Sequence, residues 1–267
     1  GVLDDLIMFR LAKDRWMAVV NAATAENDAA HFLRHLAGDA RFEDISVKTG
    51  KLDVQGPGSR ALLKSIVPGI ERLSYYTFDT FDVLGEEAIV SRTGYTGELG
   101  YEIYVSWDKT PLLWEKLLTA GAKPAGLGAR DILRLEMGYP LYGHEMGEEI
   151  SALDSGCGRF IHWEKDFIGK NALLKYKEDG IQRKIICFAA ESRRSPRAGQ
   201  MIFSQEKAPV GSVTSGTFSP VLTQGVGLGF VPVGFGAGDE IFFGDEKNLV
   251  PAKIVSRPMY QGGSLKL

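Results

Sequence analysis

The stretch SRTGYTGELGYEIYV, residues 91–105, governs how the rest of the chain is read. Gly94, Gly97 and Gly100 fall at every third position between two runs with strand character, AIVSR at 88–92 and YEIYV at 101–105. Such a backbone turns sharply and approaches a neighbour closely, because glycine carries no Cβ to prevent it. Tyr95 and Glu102 stand at either end of the turn, so a ring face and a carboxylate can converge on one small ligand. A carboxylate only accepts hydrogen bonds, which suits a heterocycle presenting paired N–H donors. The same spacing also fits a plain hairpin whose tyrosine packs and whose glutamate is solvated.

Working outward toward the start, GVLDDLIMF at 1–9 reads as a strand with two adjacent carboxylates, Asp4 and Asp5. Successive side chains of a strand point to opposite faces, so one aspartate is expected to face inward beside Leu6, Ile7 and Phe9. Burial there is costly without a partner or a proton, which makes the inward acid a candidate for chemistry; two solvated acids at a strand start are the alternative. WMAVVNAAT at 16–24 reads as a second strand ending at Asn21. Thr24 then caps a helix whose apolar stripe is Ala25, Ala29, Phe32, Leu33 and Leu36. His31 and His35 have ligand spacing on it, but no third ligand lies nearby in sequence.

Further along, LDVQGPGSRALLKSIVPG at 52–69 gives a short strand, a turn at Gly56–Pro57 and a helix. Thr110 and Pro111 open another helix, with Leu112, Leu113, Trp114, Leu117 and Leu118 as its expected buried side. GLGARDILRLEMGYPLYGHE at 126–145 contains a third helix, which places Arg130 and Arg134 one turn apart on one face, wanting an anion or carboxylates such as Asp131 and Glu136. KDFIGKNALLKYK at 165–177 reads as a turn and a short basic helix. From Arg183 onward the chain shows glycine-punctuated β runs and no helical pattern, the texture of a small sandwich or barrel. A domain boundary is expected near Gly180, separating 1–180 from 181–267.

The composition narrows the function classes. At 267 residues, with 44% hydrophobic and 24% charged, the chain is a globular protein of one large or several smaller domains. A net charge of −3 argues against a general nucleic-acid binder. Cys157 and Cys187 belong to no metal-binding spacing, and no apolar run reaches the ~18 residues of a membrane span. The chain opens at Gly1 inside an apolar pattern rather than at a methionine, the expectation being that a preceding segment has been cut away.

Read together and in order, GVLDDLI, VVNAAT, LDVQGP, SRTGYTGELGYE, GLGARDILRLEMGYPLYGHE, DFIGKNAL and GSVTSGTFSP resemble the glycine cleavage system T-protein family, the tetrahydrofolate-dependent aminomethyltransferases. The likeness runs through essentially the whole chain. It implies an α+β, cloverleaf-like fold: residues 1–180 form a folate-binding core from parts of two interleaved α+β domains, and 181–267 a C-terminal β-barrel domain. It implies that Asp5 is the acid at the reacting centre and that Ile7, Phe9, Val19, Asn21, Tyr95, Glu102, Arg130 and Tyr260 contact the folate. Some relatives carry a tyrosine at the position of Phe9, so a hydroxyl is missing here, and Asn27 stands where the family usually shows a lysine.

The implied activity moves an aminomethyl carbon from the lipoyl arm of the H-protein to tetrahydrofolate and releases ammonia, within glycine catabolism and one-carbon metabolism. The resemblance further implies tetrahydrofolate as co-substrate, no metal, lipoylated H-protein as partner, no nucleic acid, no membrane, a monomer, and a cytoplasmic location, mitochondrial in a eukaryote. The alternatives on the same fold are another tetrahydrofolate-dependent one-carbon transferase or demethylase, or a non-catalytic folate-binding accessory protein. The cysteine-containing motif of the accessory protein does not occur here. An N-terminal portion present in family members is expected to be lacking, and a chain without it is expected to aggregate or to need that segment.

Overall fold

A computed structural model describes residues 1–266 and divides them into two compact units. One comprises Met8–Ala18, Ala25–Leu133 and Gln261 onward; the other comprises Gly1–Ile7, Val19–Thr24 and Arg134–Tyr260.

The chain begins with a two-stranded hairpin, β1 (Ile7–Arg10) and β2 (Trp16–Val19), followed by helix α1 (Ala25–His35). The first unit is then built on β3 (Thr49–Gln55), α2 (Ser59–Leu63), β4 (Phe78–Val83), β5 (Glu86–Ser91), β6 (Gly100–Ser106) and α3 (Thr110–Thr119). Its four strands form an antiparallel sheet in the order β3-β6-β5-β4. β6 lies in the middle, and every residue from Gly100 to Val105 is buried, so its two faces are both covered. The core packs Leu63, Val67 and Ile70 against Val90, Tyr101 and Ile103, with Leu113 and Leu117 of α3 completing it. Each fully buried aliphatic side chain there stabilises the fold by roughly 1.5–3 kcal/mol.

Helix α4 (Leu127–Glu136) carries the chain into the second unit, followed by α5 (Lys170–Glu178) and six strands. These are β7 (Arg183–Ala190), β8 (Met201–Phe203), β9 (Pro209–Ser219), β10 (Gln224–Pro232), β11 (Glu240–Asp245) and β12 (Asn248–Val255). They close into a barrel in the order β10-β7-β12-β11-β8-β9, all neighbours antiparallel. Phe188, Ile202, Ile241, Phe243 and Ile254 fill it. The α+β expectation with a C-terminal barrel therefore holds.

Three local expectations are corrected. Residues 1–6 are not a strand: Val2 N–H bonds the Gly147 carbonyl at 2.9 Å, and the acids that follow are engaged by a side chain rather than by a ladder. The second strand stops at Val19, because the Asn21 N–H donates to Asp4 Oδ2 at 3.0 Å instead of to a neighbouring strand. On α3 only Leu113 and Leu117 are buried, while Leu112, Trp114 and Leu118 are exposed. Adjacent helical residues point about 100° apart, so a run of five apolar positions cannot all face one sheet.

Among the described residues no helix is long and apolar enough to cross a membrane. No group of three or more His, Cys, Asp or Glu among them is placed to hold a metal ion. His31 and His35 do lie with ring centroids 4.4 Å apart on α1, and His35 Nδ1 contacts the His31 carbonyl at 2.9 Å.

Candidate active site

Glu102 is the centre of a cluster in the first unit. As a central-strand residue it is 4% exposed, so the solvated alternative is overturned. Its Oε1 pairs with the Lys51 ammonium, and its Oε2 accepts a short hydrogen bond from the Thr93 hydroxyl, which contacts Ser91 Oγ at 2.6 Å. Directly across the ladder stands Asp53 on β3. Asp53 lies 3.5 Å from Lys51 and accepts from Arg130 Nη1 at 3.2 Å. The Arg130 guanidinium in turn sits over the Tyr95 ring, 4.9 Å from its centroid, a cation–π contact that holds ring and charge together.

These contacts split the two carboxylates. Burial works against ionisation of Glu102, but the Lys51 ammonium, with the Thr93 hydroxyl and Asp53, overrides it and holds the group below the usual carboxylate range. Burial likewise pushes Asp53 up; Lys51 and Arg130 oppose the rise, and the negative charge of Glu102 reinforces it. Beside them, burial followed by the charges of Glu102 and Asp53 raises the Tyr104 phenol above its ordinary value. The pair thus presents an ionised acceptor next to a carboxyl that keeps its proton more readily.

The glycine turn supports this arrangement by close approach. The Gln55 side chain runs beneath it, donating from Nε2 to the Thr93 carbonyl at 3.2 Å and accepting from Thr96 Oγ1 at 2.9 Å. A Cβ on Gly94 or Gly100 would collide with the Gln55 carboxamide. The C-terminal segment fastens the far side: Ser264 N–H donates to Glu98 Oε2 at 2.9 Å and its hydroxyl receives the Leu99 N–H at 2.9 Å. Phe9 is buried against Phe78 and Tyr104, at centroid distances of 4.8 and 5.7 Å.

A separate cluster lies in the second unit. The Asn21 carboxamide nitrogen donates to Asp4 Oδ1 at 2.7 Å and to Asp5 Oδ1 at 2.8 Å, so one side chain binds both acids. Asp4 is half-buried and Asp5 exposed, the split expected of adjacent acids, and the Asn21 amide bridges the two. Val19 ends β2 and Ile7 begins β1, each half-buried, and Tyr260 is tied by its N–H to the Glu136 carbonyl at 3.0 Å.

Arg134, expected like Arg130 to seek an anion or a carboxylate, is buried in the second unit. It is 1% exposed and pairs with Glu145 at 3.1 Å, with further bonds to the Tyr139 carbonyl and Ser215 Oγ. Both arginines meet carboxylates, Arg130 that of Asp53 and Arg134 that of Glu145. Sequence reading also missed Lys51, Asp53 and Thr93. A signal existed for the first two, since opposite charges two residues apart in a strand share one face.

The GCVT N-terminal domain model matches residues 1–165, and the glycine cleavage T-protein C-terminal barrel domain model matches 183–261. An aminomethyltransferase of Pseudothermotoga lettingae is 43% identical over 267 residues, covering 98% of this chain and 74% of the relative. The chain belongs to the glycine cleavage T-protein family. Its similarity extends to an aminomethyltransferase of Bacillus subtilis, 38% identical over 98% of this chain and 74% of that one. Among solved T-proteins, glycine cleavage system aminomethyltransferase T from Bartonella henselae superposes with a TM-score of 0.89 at 31% identity, over 99% of this chain and 74% of that one.

Proposed function

We propose that this chain is the aminomethyltransferase of a glycine cleavage system, taking the aminomethyl carbon from the lipoyl arm of H-protein, passing it to tetrahydrofolate and releasing ammonia. The observation that carries the reading at residue level is the buried, ionised Glu102 with Tyr95 and Arg130 nearby. A reduced pteridine presents adjacent N–H donors, a carbonyl and flat faces. The residues present fit those needs: Glu102 as a two-oxygen acceptor, Arg130 as a permanent donor fork, Tyr95 as an aromatic wall.

Chemically, bound tetrahydrofolate supplies the nucleophilic nitrogen. The chain's residues must hold it near the incoming carbon, take its proton, and stabilise positive charge as ammonia departs. Holding well-aligned reactants is worth up to about 7–11 kcal/mol. Asp5 is suited to the other two tasks, as an exposed carboxylate that accepts from the neutral Asn21 amide at 2.8 Å.

Titration with tetrahydrofolate, followed by turnover with aminomethylated H-protein, tests the reading. Saturable binding that falls sharply in Glu102→Ala is expected. Asp5→Asn is expected to keep folate binding and lose on the order of 100-fold or more in turnover. Binding indifferent to Glu102, or near-normal turnover in the Asp5 variant, overturns the respective assignment.

A further inference from the structure

The two charged residues that this reading assigns to the pterin edge already hold ion-pair partners, and both partners come from one strand. Lys51 sits on Glu102 Oε1, and Asp53 Oδ2 accepts from Arg130. Lys51 and Asp53 are two residues apart on β3, hence on the same face, and each opposes the charge that it meets. Glu102 has its second oxygen, Oε2, engaged as well, accepting from Thr93. Its side chain is only 5% exposed, so solvent offers no second approach.

We propose that Lys51 sets the affinity of the folate site by competing with the ligand for Glu102. The inference rests on the folate reading above. A pair of N–H donors addressing the Glu102 carboxylate meets the ammonium on Oε1, so ligand and Lys51 compete for that oxygen. The geometry makes that displacement feasible. Lys51 is 33% exposed on a flexible stem, and Asp53 lies 3.5 Å away to receive its charge. The Tyr104 ring, 5.8 Å from Nζ, borders the cation between those two stations. The ammonium thus exchanges one carboxylate for its neighbour and is never stranded. A ligand offering a single neutral donor replaces a charge-assisted bond with a weaker one, whereas paired donors compensate for its loss.

Two variants move the affinity in opposite directions. With all forms compared at one pH, Lys51→Met is expected to lower the Kd for tetrahydrofolate roughly three- to tenfold. Lys51→Arg, whose fork grips a carboxylate bidentately, is expected to raise it by a similar factor. The KM for tetrahydrofolate follows these shifts while kcat with aminomethylated H-protein stays within about twofold. Thermal unfolding without ligand separates this from a merely structural role: Lys51→Met leaves Glu102 without its cation and melts lower, yet binds more tightly. Unchanged or weakened binding in Lys51→Met, with Glu102→Ala still abolishing it, overturns the inference alone. Absence of tetrahydrofolate binding in every form overturns the folate reading and this inference with it.

Discussion

Asp53 and Glu102 face each other directly across the β3–β6 ladder, and their carboxyl groups are displaced in opposite directions from their ordinary values of 3.8 and 4.5. The stability that Glu102 contributes is present above its unfolded value and is lost as the pH falls through its lowered folded one. Asp53 runs the other way: its contribution is full below the unfolded value and is lost as the pH rises through the raised folded one. An Asp53→Asn chain lacks that second loss. Its melting temperature is therefore expected to gain on the wild type as the pH rises above the ordinary value of 3.8 and through the raised folded one. A difference that stays flat or shrinks across this range contradicts the upward displacement of Asp53.

Asn21 holds Asp4 and Asp5 through one amide nitrogen, so its removal acts on both acids at once. Asn21→Ala is expected to lower kcat at least tenfold with a smaller change in tetrahydrofolate Kd. Single-turnover measurements beside direct titration check the split; an equal effect on both would make Asn21 a ligand contact instead.

The Arg134–Glu145 pair is sealed in the second unit, with side-chain exposures of 2% and 0%. Truncating Glu145 removes the carboxylate that the buried Arg134 guanidinium meets at 3.1 Å. Glu145→Ala is expected to destabilise this unit by about 3–5 kcal/mol. The urea midpoint reports it, and a loss below about 1 kcal/mol would mean that water or another group takes over the guanidinium.

Gly100→Ala would drive a Cβ into the Gln55 carboxamide and displace it from Thr93 and Thr96. The expected cost is about 1–3 kcal/mol. In a Gln55→Ala background the same substitution should cost much less, since the obstacle is gone. Additive costs in the double variant would place the strain in the backbone rather than in that side chain.

The sequence made some of this legible and hid the rest for physical reasons. Short β runs broken by glycine after Arg183 announced an all-β unit, because strand length and turn residues are local properties. Closure into a ring was implied only by the family resemblance, because it depends on the β8–β9 and β10–β9 registers, which are tertiary, and on a strand of three residues at Met201–Phe203. Tyr95 and Glu102 could be singled out from the glycine turn, but the burial of Glu102 follows from the central place of β6, which spacing does not encode. Lys51 and Asp53 lie some fifty residues before Glu102, and only strand pairing brings them to it. Arg130 and Arg134 matched in helical phase and still diverged, because one ends among β-sheet carboxylates and the other in a sealed ion pair.

The ring of strands that ends the chain has one more outcome. A row of amides left without partners is a template on which another polypeptide can stitch itself, and a cylinder that meets itself offers no such row. In the open sheet β4 is an outermost rail, and there Asp79, ion-paired with Arg72, and Asp82 set charged side chains along the backbone, a guard against the self-association that a smooth apolar rail would invite.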